Sequence, residues 1–495
     1  MGWCRPCLLV LLALAALVAG CGKSSSSGGS TGAGRAQALS FLPKTSPVVI
    51  EITTDPSGAQ VKSLLGLANQ FPGAGLLLGQ LTDQITKGTG LNWDKDVKPA
   101  LGNPFVLAPA AISGNAFVGA IVAKDAGKAK KFVTASAAKI GSHGGFDLYK
   151  DKQTATTFYG LKDATVVFAD GQENLVAAID RHAQGAGATP AEAAPFSTGL
   201  PKDAVIQIHG LVAPAIANGA GTATARRVPF VNALKGYAVT LTASANGLNA
   251  DFRVDTSNAS LPASEQPLSS GGQATGVTSI GPIDVGIRDV SHVIGYAEHL
   301  GQVLAPTTYP GFAAGLQAIA ARTGVDVNRD FIGQMSDAVI ATDTHLFAVR
   351  VKAKDAAVLT AAVKKLRPII PAFLQGAGLP GLQVGAGPGG LTLLGRGNHY
   401  VAGYGMVGDQ LVFGTAAPAQ LTAFATQATK PVSGGNGAVA FHGTTSRLAQ
   451  LILPAILPPQ LVGLAGPFLT RLGDITGSAT ETAGAITGHF SLPVK

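Results

Sequence analysis

The stretch Gly90-Leu-Asn-Trp-Asp-Lys-Asp96 returns without a gap as Gly324-Val-Asp-Val-Asn-Arg-Asp330. Four further matches share its order. Pro104-Phe-Val-Leu107 pairs with Ala338-Val-Ile-Ala341, and Ala123-Lys-Asp125 with Ala353-Lys-Asp355. Tyr159-Gly160 through Val167-Phe168 pairs with Tyr404-Gly405 through Val412-Phe413, and Ile208-His209-Gly210 with Phe441-His442-Gly443. The offsets all fall between 230 and 245 residues. Chance in an Ala/Gly-rich chain supplies one or two such matches, not five in order. The period is far too long for a solenoid, so the pattern predicts a tandem pair of homologous domains. The first covers 36–255 and the second 277–495. The Ser-, Gly- and Pro-rich run 256–276 reads as the linker.

Within a copy the apolar periods are mixed. Val48–Ile52 is strand-like, whereas Lys62–Gln70 and Leu76–Thr86 have helical spacing. Asp125 sits where an N-cap belongs, ahead of Ala129, Phe132, Val133 and Ile140. Asp355 opens the matching helix, with Leu359, Val363 and Leu366 on its face. Short strands follow at Phe146–Tyr149, Thr156–Gly160 and Thr165–Ala169, with turns at Lys162-Asp163 and Gly408-Asp409. A helix is expected near Glu173–His182. Copy one ends in a hairpin, Tyr237–Ala245 and Leu248–Val254, turning at Asn246-Gly247. Strands joined by short turns are antiparallel. The expected class is α+β: two tandem domains, each a mainly antiparallel sheet with helices covering one face.

This succession of strand, paired helices, G-[LV]-[ND]-x-[DN]-[KR]-D, strand pair, A-K-D helix and Y-G hairpin resembles an uncharacterised bacterial domain-of-unknown-function family, 3352. The resemblance spans nearly the whole chain after its leader. It implies an envelope-associated bacterial protein and brings no activity with it. Copy two departs locally, with Val327 at the Trp93 position.

The first 20 residues read as a targeting segment. Arg5 precedes an unbroken apolar run, Leu8 to Val18, too short to span a bilayer. Val18-Ala19-Gly20-Cys21 resembles the lipobox of bacterial lipoproteins. In that family the cysteine thiol takes a diacylglyceryl group and cleavage makes the cysteine the new N-terminus. Residues 1–20 are thus expected to be a signal peptide, Cys21 the lipidation site, and 21–35 a flexible tether. Cys4 and Cys7 leave with the leader, so the processed chain forms no internal disulfide. Acyl chains at about 0.8 kcal/mol per buried CH₂ would hold the protein, palmitate among them, on the bacterial membrane from the extracytoplasmic side.

The chain has 495 residues, 46% hydrophobic and 13% charged, a balance that excludes wholesale disorder. Its net charge of +8 is spread out, and no basic run is interleaved with aromatics, so no nucleic-acid partner is expected.

Candidate chemistry is sparse. Asn92, Asp94 and Asp96, like Asp326, Asn328 and Asp330, alternate as oxygen ligands do at the start of a calcium loop. The positions where an EF-hand needs Gly and Glu hold Val97 and Asn103, or Phe331 and Asp337. Helix capping is the better reading. Gly385-Ala-Gly387-Pro-Gly-Gly390 fits G-x-G-x-x-G, but Leu391–Leu394 reads as a strand where a dinucleotide site needs a helix. His209 and His442 occupy equivalent strand ends and read as structural imidazoles. The apolar stretches Phe71–Leu81, Leu366–Leu382 and Leu448–Leu469 are broken by Pro or Gly; Leu451, Ile452, Ile456, Leu457 and Leu461 are the residues nearest to an apolar pocket lining.

These observations lead to the expectation of a lipid-anchored, non-enzymatic binding or scaffolding protein of the cell envelope, with no cofactor and no metal. Its expected partners are the membrane and either an envelope protein or an apolar ligand. A lipid carrier and a hydrolase without a recognisable motif stand as alternatives.

Overall fold

The computed structural model describes residues 31–71, 75, 79, 82–83, 86–87, 89–111, 116–213, 222–256, 261–270, 275–278, 281–342, 347–376, 381–397, 399–432, 437–449, 469–482 and 484–495. The signal segment, Cys21 and tether residues 22–30 lie outside them, as do Leu451, Ile452, Ile456, Leu457, Leu461 and most of Leu76–Thr86.

The first half contributes ten strands: β1 Val49–Ile52, β2 Phe105–Pro109, β3 Phe117–Val122, β4 Ala137–His143, β5 Phe146–Asp151, β6 Thr157–Lys162, β7 Thr165–Asp170, β8 Ile206–Leu211, β9 Gly236–Ser244 and β10 Gly247–Asp255. The second half contributes β11 Ile283–Ile287, β12 Met335–Thr342, β13 Phe347–Ala353, β14 Gln383–Ala386, β15 Thr392–Arg396, β16 His399–Val407, β17 Gln410–Gly414, β18 Val439–Gly443, β19 Ile475–Thr482 and β20 Ala485–Pro493. Eight helices matter below: α1 Thr31–Leu39, α2 Ala59–Asn69, α3 Ala126–Ser136, α4 Gln172–Ala183, α5 Val290–Leu304, α6 Tyr309–Thr323, α7 Ala356–Leu366 and α8 Pro418–Thr426.

The fold is α+β. Every strand pairing is antiparallel, and the order β4-β5-β6-β7-β3-β2-β1-β8-β9-β10 in the first half reappears as β14-β15-β16-β17-β13-β12-β11-β18-β19-β20 in the second. The last strands of the halves pair with each other, from Gly247↔Pro493 to Asp255↔Ala485, giving one 20-stranded sheet. The described part of 256–276 packs at this seam. Thr256 N–H donates to the Gly484 carbonyl at 2.8 Å, and Leu268 N–H to Glu481 Oε2 at 2.9 Å.

Register places the halves on one another residue by residue. Ala120 faces Val167 as Arg350 faces Val412, and Val49 faces His209 as Asp284 faces His442. Val106 faces Ala120 as Val339 faces Arg350. The sequence match around Ala338–Ala341 is therefore one residue out of step.

Helices lie on both faces of the sheet, not on one. β3 and β7 are apolar at consecutive positions, so both of their faces must be covered. One face carries Val49, Val106, Val118, Ala120 and Val167 under α1 and α4. The other carries Ile121, Val166 and Leu161 under α3, and Ile52 and Val205 under α2. In the second half, α8 covers Val339, Ala341, Ala348 and Val412 on the first face, and α7 covers Val349, Val351 and Leu411 on the second.

Two local readings change. Ile140 is not on the face of a helix: α3 ends at Ser136, and Ile140 stands 45% exposed on edge strand β4. Thr31–Gly34, taken as tether, form the first turn of α1. Their order follows from what comes next: Arg35 clamps Glu51, and Ala38, Leu39, Phe41 and Leu42 are wholly buried. Gly34 lets the Asn103 side chain close in, since a Cβ there would lie 2.5 Å from its Cγ.

Candidate functional site

The repeated motif builds the same tight turn twice. In the first half Asn92 Oδ1 accepts from Lys95 N–H at 3.0 Å, and Asp96 Oδ2 accepts from Asn92 N–H at 3.0 Å. In the second, Asp326 Oδ1 accepts from the Asn328 and Arg329 amides, and Asp330 Oδ2 from Asp326 N–H. These oxygens serve orphan amides at a helix start, as caps do. The second oxygen of Asp96 takes the Lys131 ammonium at 2.7 Å, which holds its carboxyl down at about 2. Such a carboxylate is already occupied by a cation. Among the described residues no group of three His, Cys, Asp or Glu side chains is placed to hold a metal ion.

Asp125 and Asp355 cap α3 and α7 through the amides of Lys128, and of Ala357 and Val358. The glycine-rich Gly385–Gly390 runs from β14 through a short turn into β15, so no helix N-terminus faces it.

The two histidines stand at equivalent positions, but their carboxylate partners do not. His209 Nδ1 lies 3.6 Å from Glu51, which is itself held by a bidentate Arg35 at 2.6 and 2.7 Å. Burial pushes the His209 imidazole down from its ordinary value. His442 lies between Asp284 Oδ2, at 3.4 Å, and Asp474, at 3.2 Å. Asp284 occupies the place of Val49 and is fully buried, and burial raises its carboxyl. The imidazole and Oδ2 of Asp284 are close but not aligned as a hydrogen bond. Neither histidine lines a groove or cavity named below.

The most distinctive surface lies elsewhere, on α5 and α6. Between Asp289 and Arg322 the sequence carries a single Asp, Glu, Lys or Arg residue, Glu298. Yet neither 15-residue helix has a buried residue. The helices converge where Gly301 admits the Tyr309 ring, which would lie 3.3 Å from a Cβ there. Gln302 donates to the Tyr309 hydroxyl at 3.0 Å, and the Tyr309 and Phe312 rings sit 5.8 Å apart. Between them runs an open groove of about 450 Å³, lined by Ile294, Gly301, Ala305, Tyr309, Phe312 and Ile332. Ile332 belongs to the turn that follows the repeated motif, and that turn forms one wall. Glu298 at the rim has its carboxyl raised by loss of water, and Phe312 and Leu304 are 52% and 43% exposed. These groove residues were missed in the sequence. The near-absence of charge over 290–321 was the available signal, and it reads equally as a buried helix pair.

A family model described as "Protein of unknown function (DUF3352)" matches residues 7–366. The chain belongs to the DUF3352 family. The match includes the whole first half and, in the second, α5, α6 and the groove between them. No curated protein matches this DUF3352 chain. Among solved structures it is similar to crystal form III of TP0453, at 11% identity and a TM-score of 0.27, covering 46% of this chain and 82% of that one. Crystal form I of TP0453 gives 12% identity and a TM-score of 0.25, with 46% and 80% covered. Among the described residues no helix is long and apolar enough to cross a membrane.

Proposed function

We propose that this chain is an extracytoplasmic bacterial lipoprotein, anchored through acyl chains on Cys21, that works without catalysis as a binding protein of the cell envelope. In this reading 36–255 and 277–495 are copies of one ancestral unit, and the second copy carries the binding surface. The observation behind the role is the α5–α6 groove: two apolar helices with no buried residue, around a cleft whose lining is nearly all carbon. Monomeric proteins keep such patches small unless something docks there. The occupant is the acyl region of a membrane lipid. Cys21 lies only ten residues before Thr31, the start of α1, so chain length alone keeps an anchored body within about 36 Å of the bilayer. The positive net charge of +8 adds attraction to anionic headgroups.

Flotation of residues 22–495, without signal or anchor, on vesicles of mixed phosphatidylglycerol and phosphatidylcholine tests this. The protein is expected to float with the vesicles. Burying a Leu or Phe contributes about 1.5–3 kcal/mol, so Leu304→Glu with Phe312→Glu is expected to cut partitioning by tenfold or more. A protein that stays in the soluble fraction, or a double variant that floats unchanged, contradicts the proposal.

A further inference from the structure

The face that α1 seals in the first half carries, among the described residues, a cavity in the second. Counterparts follow from register: Ala120 corresponds to Arg350, Val122 to Lys352, and Val106 to Val339. The bridges Pro43↔Gly187 and Val277↔Lys430 extend the match, placing Thr275 and Gly276 where Phe41 and Leu42 stand. Phe41 and Leu42 are wholly buried plugs. Their replacements leave a cavity of about 670 Å³. Gly286 allows the segment bearing Thr275 to cross the sheet here, since a Cβ on it would lie 2.2 Å from the Gly276 carbonyl oxygen.

The cavity is charged where its counterpart is apolar. Arg350 forms the floor, 7% exposed, with Nη1 donating to the Phe424 carbonyl at 2.7 Å and to the Gln427 carbonyl. Lys352, two residues on along β13, stands on the same side of the sheet. Asp337 and Asp409 complete the lining. Asp337 Oδ1 accepts from Asp289 N–H, and Asp409 Oδ1 from Gln410 Nε2. Among the described residues, none of these four charges forms an ion pair within 4.0 Å. Two cations and two carboxylates held apart around a cavity favour a guest that carries both signs. A simple anion would meet the carboxylates, and an apolar guest would offer none of the four a counter-charge.

We propose that this cavity binds a small zwitterion of the amino-acid or short-peptide class, its carboxylate toward Arg350 and Lys352 and its ammonium toward Asp337 and Asp409. The site is independent of the lipid groove. Calorimetric titration of the full lipidated chain in detergent, with L-alanyl-L-alanine, L-alanine and acetate in turn, tests it. Saturable heat is expected with at least one zwitterion, and at least tenfold weaker binding for acetate. Lys352→Gln and Asp409→Asn, both exposed and harmless to the core, are each expected to weaken the zwitterion tenfold. Thr275→Phe, which restores the first half's plug, is expected to abolish it, with folding checked by circular dichroism. Absence of heat with both zwitterions, acetate binding as tightly as they do, or binding unchanged in Lys352→Gln and Asp409→Asn would overturn the proposal.

Discussion

The two halves share a strand order and differ in what lies on it. In the first, Phe41 packs edge-on against Phe146 at 5.8 Å and stacks on His182 at 4.3 Å, and α1 closes the sheet. In the second, Thr275 holds the same place, the floor is Arg350, and the helix pair α5–α6 packs Val290 and Ile294 on the core while leaving Leu304 and Phe312 exposed. Pairing register depends on backbone and alternation, so it survives such substitutions. Packing does not survive them. The first half therefore fills this place with apolar side chains, whereas the second, with cores of its own under α7 and α8, keeps a cavity and a groove.

The largest expected effect breaks the sealed half. Phe41→Ala removes a fully buried ring and is expected to cost about 3–5 kcal/mol in urea unfolding, whereas Thr275→Ala costs less than about 1 kcal/mol. Comparable losses from the two changes would erase the contrast. Next comes the clamp unique to the first half. Arg35→Leu leaves Glu51 buried without its guanidinium, and the loss is expected at about 2–3 kcal/mol by the same unfolding measurement.

The third prediction sharpens what the halves share. Asp125→Ala and Asp355→Ala each delete one N-cap bonded to backbone amides at 2.9–3.0 Å, and each is expected to cost about 1 kcal/mol. Values differing by more than about 1 kcal/mol would mean the two A-K-D helices are not equivalent in energy.

The smallest effect concerns pH and belongs to the second half. The Asp284 carboxyl is raised in the folded state by burial, so folding binds its proton more tightly than the unfolded chain does. Its favourable contribution is complete below the unfolded carboxylate value and is lost as pH rises through the folded one. Asp284→Asn is therefore expected to raise Tm at pH 7 and to change it little near pH 3. A Tm gain that is equal at both, checked by scanning calorimetry, would contradict the assignment.

Much of the frame was legible from residues. Asp125 and Asp355 were readable as caps because a short acceptor before an apolar run has few other uses. The hairpin at Asn246-Gly247 and the turn at Gly408-Asp409 followed from turn chemistry, and Gly408 has the positive φ of 62° that such a turn needs. The capping reading of Asn92–Asp96 stands for the same reason. What stayed hidden depends on distant packing. Ile140 continues the helical spacing of α3 by coincidence, and only pairing with β5 shows it on a strand. The partial exposure of α5 and α6 is invisible in sequence because apolar helices look alike whether fully or half-buried. The cavity arises from Thr275 and Arg350, 75 residues apart, meeting on one sheet face.

The most direct test of a sealed and an open half compares one position in both. Val122 and Lys352 are register counterparts, and exposed Lys352 lines the cavity while Val122 packs against the core that α1 closes. In residues 22–495, which contain no cysteine, Val122→Cys and Lys352→Cys each introduce a single thiol. Under native conditions a small thiol reagent is predicted to modify the cysteine at 352 readily, and the one at 122 at least tenfold more slowly. Equal protection at the two sites, or faster reaction at 122, would contradict the account.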